Sequence, residues 1–289
     1  MHAVIRLFML AALSVTGTLL AEPVSQDMYY TPPQSHLVYV DTTSGNVVIA
    51  LNDAIAPHHV ARFQELVKSG FYNNKHFYRV IEGFVAQGGA NEEVTGSPLT
   101  APLDAEFSAK NVEGFYEIQR PAAYAPVSGF IYGFAAGTTP SRDAYWLAHC
   151  PGTLAMARDN GKDTGSTEFY IVIGQAPRHL DRNMSVFGRV VAGMDVLQRL
   201  PRGDVANGGV IGTPTEDSKI NAMKLGTQLP AAAQRHFSIQ RGGHPDYQKK
   251  IQAARELANP FFADKSLAPR PIDVCYYQTG VEEVTEQPH

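Results

Sequence analysis

The chain has 289 residues, of which 44% are hydrophobic and 18% are charged, and its formal net charge is −4 at pH 7. This length suffices for one large domain or two small ones, and the composition is that of an ordinary globular protein. A sequence pI near 6.2 and the lack of a basic stripe argue against a nucleic-acid surface, which usually needs clustered Lys and Arg. We therefore expect no nucleic-acid partner.

Residues 1–21 have the pattern of a secretory signal peptide. An early cation, Arg6, precedes an apolar run over residues 7–20 that ends near Ala21. Polar and glycine residues interrupt this short run, which argues against a membrane span. Leu19 occupies a position where cleavage prefers a small residue, so an uncleaved anchor is the alternative. We predict cleavage and a periplasmic protein that has no membrane contact afterwards.

Export would place Cys150 and Cys275 in an oxidising compartment, where a pair of cysteines can form a disulfide. Such a bridge would tie the C-terminal part of the chain to its centre. The alternative is two buried, unpaired thiols whose Cα atoms lie more than about 7 Å apart. Neither cysteine has the spacing of a metal site, so we predict no metal. His149, beside Cys150, is interpreted as a surface or hydrogen-bonded histidine.

The first predicted elements follow a polar, proline-rich segment, residues 22–35, which is interpreted as a flexible N-terminus. Two β-rich runs around Ser44-Gly45-Asn46 indicate a hairpin. A helix is predicted from Pro57 to Gly70, since one helical face carries Val60, Phe63, Leu66 and Val67. The stretch "HFYRVIEGFVAQGGA", which begins at His76, is predicted to form a strand.

Residues 91–150 contain many Gly, Pro and Ser residues and are interpreted as irregular, which is long for a connection within a compact domain. Three β-like runs follow ("GTLAMAR", "EFYIVIG" and "SVFGRVVAG"), then a short helix that stops at Pro201 and a strand in "SKINAMKLG". Beyond Gly226 come a polar helix between Pro245 and Pro260 and a strand in "IDVCYYQTGVEEV". Because strands and helices do not alternate regularly, the order favours a mainly β protein built as a barrel.

Arg79 is a lone cation within an apolar and aromatic strand. It could be a solvated residue of an edge strand, or it could face a ligand in a pocket. The stretch "FYRVIEGFVAQGGA" resembles the signature of the cyclophilins: Phe-His-Arg, a hydrophobic pair, Gly-Phe and Gln-Gly-Gly. A second block, from "GTLAMARDNG" to "SVFGRVVAGMDVLQRL", resembles the core of the same family. The resemblance covers residues 36–92 and 150–225, and it favours the ligand-facing arginine.

The resemblance implies a closed eight-stranded antiparallel barrel capped by two helices, over residues 36–225. Residues 93–149 would form an enlarged loop insertion, and residues 226–289 a C-terminal extension packed on the domain. The loop would lie near the substrate groove and shape substrate choice. Alternatively, it would pack against the extension, tethered by Cys150 and Cys275. We expect a monomer.

The implied activity is peptidyl-prolyl cis–trans isomerisation of proline-containing segments in exported proteins. No bond is broken in this reaction, so we expect no cofactor. Arg79 matches the family's catalytic arginine. The substrate-binding residues that the resemblance implies are Phe84, Val85, Gln87, Ala157, Arg158, Glu168, Tyr170, Leu180 and Met184.

Several positions within the two blocks depart from the family pattern. Tyr78 stands where histidine is common, Val85 where methionine is usual, and Tyr170 where phenylalanine is usual, so its hydroxyl needs a partner. Glu168 replaces a glutamine, and a pair with Arg79 would occupy the donor. The alternative function is therefore a proline-peptide binding or chaperone module with weak or no isomerase activity. An apolar pocket beside an unpaired Arg79 would favour the enzyme.

Overall fold

The computed structural model describes residues 28–91 and 96–285. Its strands, in chain order, are β1 (Tyr29–Tyr30), β2 (Leu37–Thr42), β3 (Gly45–Leu51), β4 (Lys75–Val80), β5 (Val85–Gly89), β6 (Phe115–Gln119), β7 (Val127–Ile131), β8 (Phe134–Thr138), β9 (Tyr145–Leu147), β10 (Thr153–Met156), β11 (Phe169–Val172), β12 (Val186–Ala192), β13 (Lys219–Leu225), β14 (His236–Gln240) and β15 (Val281–Val284). Eight of them close into an antiparallel barrel in the order β10-β11-β5-β4-β13-β2-β3-β12. The predicted mainly β barrel is thus confirmed.

Two helices pack on the barrel, α1 (Pro57–Lys68) and α2 (Met194–Gln198), while α3 (Pro245–Arg255) belongs to the C-terminal part of the chain. Pro57 occupies the first turn of α1, where its fixed φ is already helical and its missing N–H costs nothing. Gly70, with φ +74°, lets the chain leave the helix. The predicted apolar face is confirmed, because α1 buries Val60, Phe63, Leu66 and Val67 against the barrel.

Aromatic rings that meet edge to face fill the barrel interior. Phe63 of α1 packs against Phe169 of β11, with ring centroids 5.5 Å apart and an interplanar angle of 75°. Phe169 and Phe187 are both fully buried and belong to this core. Side chains alternate along a strand, so Phe169 points inward and its neighbour Tyr170 points to the outer face of the barrel.

Residues 91–150 were predicted to be irregular, and for four segments this prediction is wrong. Strands β6, β7, β8 and β9 form a four-stranded sheet in that order. Glycines hide the strand pattern, because the strands approach each other closely. A Cβ atom on Gly129 would lie 2.0 Å from the main-chain oxygen of Tyr116, and one on Gly137 would overlap the ring of Trp146.

The inserted sheet packs against the C-terminal extension. One buried cluster joins Ile118 and Phe130 of the sheet to Tyr247 and Ile251 of α3 and to Val274. The extension also contributes strands β14 and β15, which form a three-stranded sheet with β1. Of the strand expected in "IDVCYYQTGVEEV", only β15 forms, since the preceding residues make turns. The sheet of the insertion therefore packs on the extension, as the second alternative expects.

A disulfide joins Cys150, which follows the inserted sheet, to Cys275 of the extension, and their Cα atoms are 4.8 Å apart. The bridge lies within the same buried cluster. At the other end of the chain, Tyr29 and Tyr30 of β1 pair with β14. Within the described ranges, no helix is both long enough and apolar enough to cross a membrane.

Candidate active site

Arg79 reaches the outer face of the barrel because β4 contains a bulge. In the ladder with β5, Arg79 pairs with Gln87, and the register shifts so that Tyr78 is an extra residue. Phe77 and Val80 both belong to the barrel interior, although simple alternation would put them on opposite faces. The bulge therefore turns Tyr78 and Arg79 to the same outer side, next to Gln87.

Four side chains form a continuous hydrogen-bonded chain on this face. Arg79 Nη1 donates to Gln87 Oε1 at 3.0 Å, and Gln87 Nε2 donates to the Tyr78 hydroxyl oxygen at 2.6 Å. The Tyr78 hydroxyl donates to Glu168 Oε2 at 2.6 Å, and Glu168 Oε1 accepts the Ala90 N–H at 2.5 Å. Each donor in the chain faces one acceptor, so the Gln87 amide is held with its oxygen toward the cation.

The carboxylate of Glu168 is engaged by Tyr78 and not by Arg79. Burial raises the pKa of the Tyr78 hydroxyl, and the hydrogen bond to Glu168 and its negative charge raise the pKa further. Tyr78 therefore stays protonated and acts as a donor. Among the residues that the structure describes, no carboxylate forms an ion pair with Arg79. A pair between Glu168 and Arg79, which would have occupied the donor, does not form.

A loop after α2 holds the other side of the guanidinium. Arg79 Nε donates to the main-chain oxygen of Gly208 at 2.8 Å, and the Val80 N–H donates to the oxygen of Gly209 at 2.8 Å. Gly209 has φ +85°, and a Cβ atom there would lie 2.4 Å from Ile81 Cγ1, so the turn requires glycine. This loop lies outside both sequence motifs, and its paired glycines, Gly208 and Gly209, are the signal from which it could have been predicted.

The side chains predicted to bind proline come together in one apolar cluster on the outer face of the barrel. The buried floor consists of Val85 and Tyr170. The half-buried wall consists of Phe84, Ala157, Leu180 and Met184. Gln87 links this floor to the cation, because its Cα partners are Arg79 on one side and Tyr170 on the other. Directly opposed residues of an antiparallel ladder point to the same face. The cation and the apolar floor therefore share one surface.

A cavity of about 800 Å³ adjoins this surface. Its lining includes four of the predicted residues, Gln87, Ala157, Arg158 and Glu168, and also residues 97 and 100–102. Arg158 is fixed at its edge, because Nε and Nη2 donate to the main-chain and side-chain oxygens of Asn183 at 3.1 Å and 2.8 Å. Residues 97 and 100–102 of the insertion thus border the site, whereas its sheet lies on the extension.

One known protein family matches the part of the chain that forms the barrel and the site. The family described as "Cyclophilin type peptidyl-prolyl cis-trans isomerase/CLD" matches residues 37–225, more than half of the chain. The chain belongs to the cyclophilin family. The predicted enzyme class, a peptidyl-prolyl cis–trans isomerase, is thereby confirmed at the level of the family.

Relatives of this cyclophilin occur in several bacteria. A probable peptidyl-prolyl cis-trans isomerase of Brucella suis is 28% identical over 179 residues, which cover 61% of this chain and 77% of the relative. A peptidyl-prolyl cis-trans isomerase of Helicobacter pylori is 30% identical over 173 residues, covering 57% and 80%. The crystal structure of the cyclophilin AquaCyp293 from Hirschia baltica matches with a TM-score of 0.70 and 25% identity, over 91% of this chain and 96% of that one. The structural similarity therefore extends beyond the barrel.

At Tyr170 this cyclophilin departs from the phenylalanine expected from its family, and the hydroxyl finds its partner inside the protein. His149 Nε2 lies 2.8 Å from the Tyr170 hydroxyl, and His149 is fully buried. The histidine belongs to neither sequence motif, and its position before Cys150 was the only signal. On the other side of the pocket, the exposed ring of His179 stacks on Phe84 with centroids 6.4 Å apart.

Proposed function

We propose that this cyclophilin accelerates the cis–trans isomerisation of X–Pro bonds in polypeptides, and that Arg79 stabilises the twisted amide. Rotation has a barrier of about 18–20 kcal/mol, because amide resonance must be broken. A twisted amide has lost this resonance, so the lone pair on its nitrogen can accept a hydrogen bond that the planar amide cannot. A fixed donor beside that nitrogen therefore favours the transition state over both ground states.

The observation that carries the proposal is the fixed position of the Arg79 guanidinium beside the apolar cluster. Nε and Nη1 are anchored to Gly208 and Gln87, and no described residue accepts a hydrogen bond from Nη2. A guanidinium remains charged at physiological pH and presents its donors in a fixed plane. The apolar floor that includes Tyr170 supports binding of the proline ring while Arg79 binds the amide nitrogen.

We further propose that the substrates are proline-containing segments of exported proteins. Residues 1–21, on which the export prediction rests, lie outside the described residues. The Cys150–Cys275 disulfide supports an oxidising compartment. Mass spectrometry of the mature N-terminus in periplasmic and cytosolic fractions tests this proposal, and an uncleaved cytosolic protein would refute it. The monomeric state remains a prediction.

NMR exchange spectroscopy on a short X–Pro peptide tests the catalytic proposal without a coupled protease. Wild type should accelerate exchange, and Arg79→Ala should lower the acceleration roughly 10²–10³-fold, the usual effect of removing a donor to the transition state. Arg199→Ala is the matched control, since the exposed Arg199 directly follows α2 and pairs with Asp195 of that helix. This control should retain full activity.

Saturable binding of the peptide by wild type without accelerated exchange would refute the isomerase proposal and favour the binding module. Glu168→Gln would then be the first variant to examine, because the family carries glutamine there. We expect the enzymatic outcome, since Glu168 is engaged by Tyr78 and the Ala90 N–H.

A further inference from the structure

Tyr170 places a polar group in the floor of an otherwise apolar pocket. Only 4% of its surface is exposed, and its hydroxyl lies 2.8 Å from His149 Nε2. The two rings are nearly parallel, with an interplanar angle of 12° and centroids 6.1 Å apart. A buried hydroxyl without a partner is costly, so this contact decides where the polar end of Tyr170 points.

Asp181 determines which nitrogen of His149 carries hydrogen. Its Oδ1 lies 3.0 Å from His149 Nδ1 and accepts the main-chain N–H of His149 at 2.8 Å, while its Oδ2 accepts from Arg178 Nε at 2.7 Å. Burial alone would raise the pKa of Asp181, but the hydrogen bond from His149 and the charge of Arg178 outweigh burial and lower it. Asp181 is therefore an ionised acceptor, and Nδ1 must be the donor.

In the tautomer that this contact with Asp181 favours, hydrogen lies on Nδ1 and Nε2 presents a lone pair to the Tyr170 hydroxyl. Tyr170 must then donate to it. Burial raises the pKa of the Tyr170 hydroxyl, and the charge of Asp181 raises the pKa further, so the hydroxyl keeps its hydrogen. The resulting direction of donation runs from Tyr170 to His149 and from His149 to Asp181.

We infer that His149 is a positioning residue for the proline pocket: it holds the Tyr170 hydroxyl toward the protein interior, so that only the ring of Tyr170 faces the substrate. This inference rests on the proposed function of the site. It explains how Tyr170 can form part of an apolar pocket at a position where phenylalanine is usual. Without His149, the hydroxyl would seek a partner on the pocket side, and the floor would become polar.

The C-terminal extension holds Arg178 and Cys150, the neighbours of Asp181 and His149, in place. Arg178 Nη1 donates to Asp273 Oδ2 at 3.2 Å. The side chain of Arg178 is buried and thus joins Asp273 of the extension to Asp181. The disulfide fixes Cys150, the residue next to His149, to Cys275. Asp181 also directly follows the turn Arg178–Leu180, so the carboxylate that orients His149 also fixes the segment that carries Leu180 of the pocket wall. The extension thereby supports the substrate pocket without touching the substrate.

The test is a set of three variants assayed on an X–Pro peptide. His149→Leu should raise KM about tenfold with kcat nearly unchanged, because an unpaired buried hydroxyl then competes with the proline ring for the pocket. Tyr170→Phe removes the hydroxyl and keeps the ring, so its KM should lie below that of His149→Leu and is the reference for the double variant. The double variant should return KM to that of Tyr170→Phe, because it contains no hydroxyl to satisfy. A merely structural role for His149 would lower the active fraction, and hence kcat, and would not be rescued by Tyr170→Phe.

An unchanged KM in His149→Leu, or a double variant no better than His149→Leu, would overturn the inference. If His149→Leu does not fold, His149→Gln keeps an acceptor oxygen and should hold KM near that of wild type, whereas an elevated KM would contradict the inference. The ¹⁵N chemical shifts of the His149 ring in wild type give a test that needs no variant. They should report hydrogen on Nδ1 only, and hydrogen on Nε2 would overturn the inference. Wild type without catalysed exchange would refute the proposed function, while these shifts and the peptide affinities of the variants would still decide the role of His149.

Discussion

Arg79 and Glu168 belong to one hydrogen-bonded chain but do not touch each other. Gln87 and Tyr78 stand between them, with successive donor–acceptor distances of 3.0, 2.6 and 2.6 Å. The carboxylate that replaces the usual glutamine thus orients the cation through two neutral groups and does not neutralise it. Among the residues that the structure describes, no carboxylate pairs with Arg79, which is what its proposed role as a donor to the substrate requires.

Tyr78 is predicted to matter for catalysis although it does not reach the apolar pocket. Tyr78→Phe removes the acceptor of Gln87 Nε2 and the donor to Glu168, so the amide that holds Arg79 can rotate. We expect kcat/KM to fall about tenfold, equivalent to about 1.4 kcal/mol, which is less than the loss in Arg79→Ala. Tyr276→Phe, at a tyrosine that is 81% exposed, is the control. Equal activity of both tyrosine variants would contradict the positioning role of the chain.

Gly89 makes room for the Glu168 carboxylate. It has φ +149°, and a Cβ atom there would lie 2.3 Å from the carboxyl group. We expect Gly89→Ala to lower the free energy of unfolding by roughly 1–3 kcal/mol, measured by urea denaturation, because the carboxylate must leave the Ala90 N–H. Gly83→Ala is the comparison variant for a positive φ without an overlap, since Gly83 has φ +68° and only its chain neighbours lie near an added Cβ; its loss should be smaller. A loss in Gly89→Ala no larger than that in Gly83→Ala would contradict the prediction.

The disulfide is predicted to contribute strongly to stability, because it closes a long loop. Cys150 and Cys275 are separated by 125 residues, and cross-linking such a loop restricts the unfolded chain. We expect the variant Cys150→Ala/Cys275→Ala to lose about 4 kcal/mol of unfolding free energy. A reductant should lower the stability of wild type by a similar amount and leave the double variant unchanged. A wild type that is indifferent to reductant would contradict this prediction.

The sequence predicts best those elements whose signal is local. The apolar face of α1 and the hairpin of β2 and β3 follow from periodicity and turn residues within a few positions of each other. The inserted sheet was missed because Gly129 and Gly137 serve close contacts between strands that the local pattern does not reveal. In β7 and β8 every residue is buried, so no alternation of polar and apolar residues marks them.

In the site, too, only those features that have a local sequence signal could be predicted. The motifs identify the residues that face the pocket, but they do not identify what holds those residues in place. The bulge at Tyr78 breaks the alternation from which a strand's faces are inferred. The partner of Tyr170 is 21 positions away, in a segment that belongs to neither motif. Contacts of this kind depend on how the barrel closes, and closure is not encoded in any short stretch.

Glu106 links the insertion to the start of α1 and gives a prediction about pH. Its carboxylate accepts the main-chain N–H groups of His58 and His59 at 3.2 Å and 2.9 Å, and it lies 2.8 Å and 2.7 Å from their Nδ1 atoms. Burial alone would raise the pKa of Glu106, but these hydrogen bonds outweigh burial and hold the pKa below its ordinary value of 4.5.

A carboxylate whose pKa is lower in the folded state stabilises the protein fully above its unfolded pKa, and this contribution is lost as the pH falls through the folded pKa. We therefore expect Glu106→Gln to be less stable than wild type at neutral pH, and the difference to shrink as the pH falls below 4.5. Urea denaturation from about pH 6 to about pH 3 measures this difference. Glu216→Gln, at a carboxylate whose side chain is 72% exposed, should follow wild type throughout. A difference between wild type and Glu106→Gln that stays constant with pH would contradict the proposed role of the carboxylate at the start of α1.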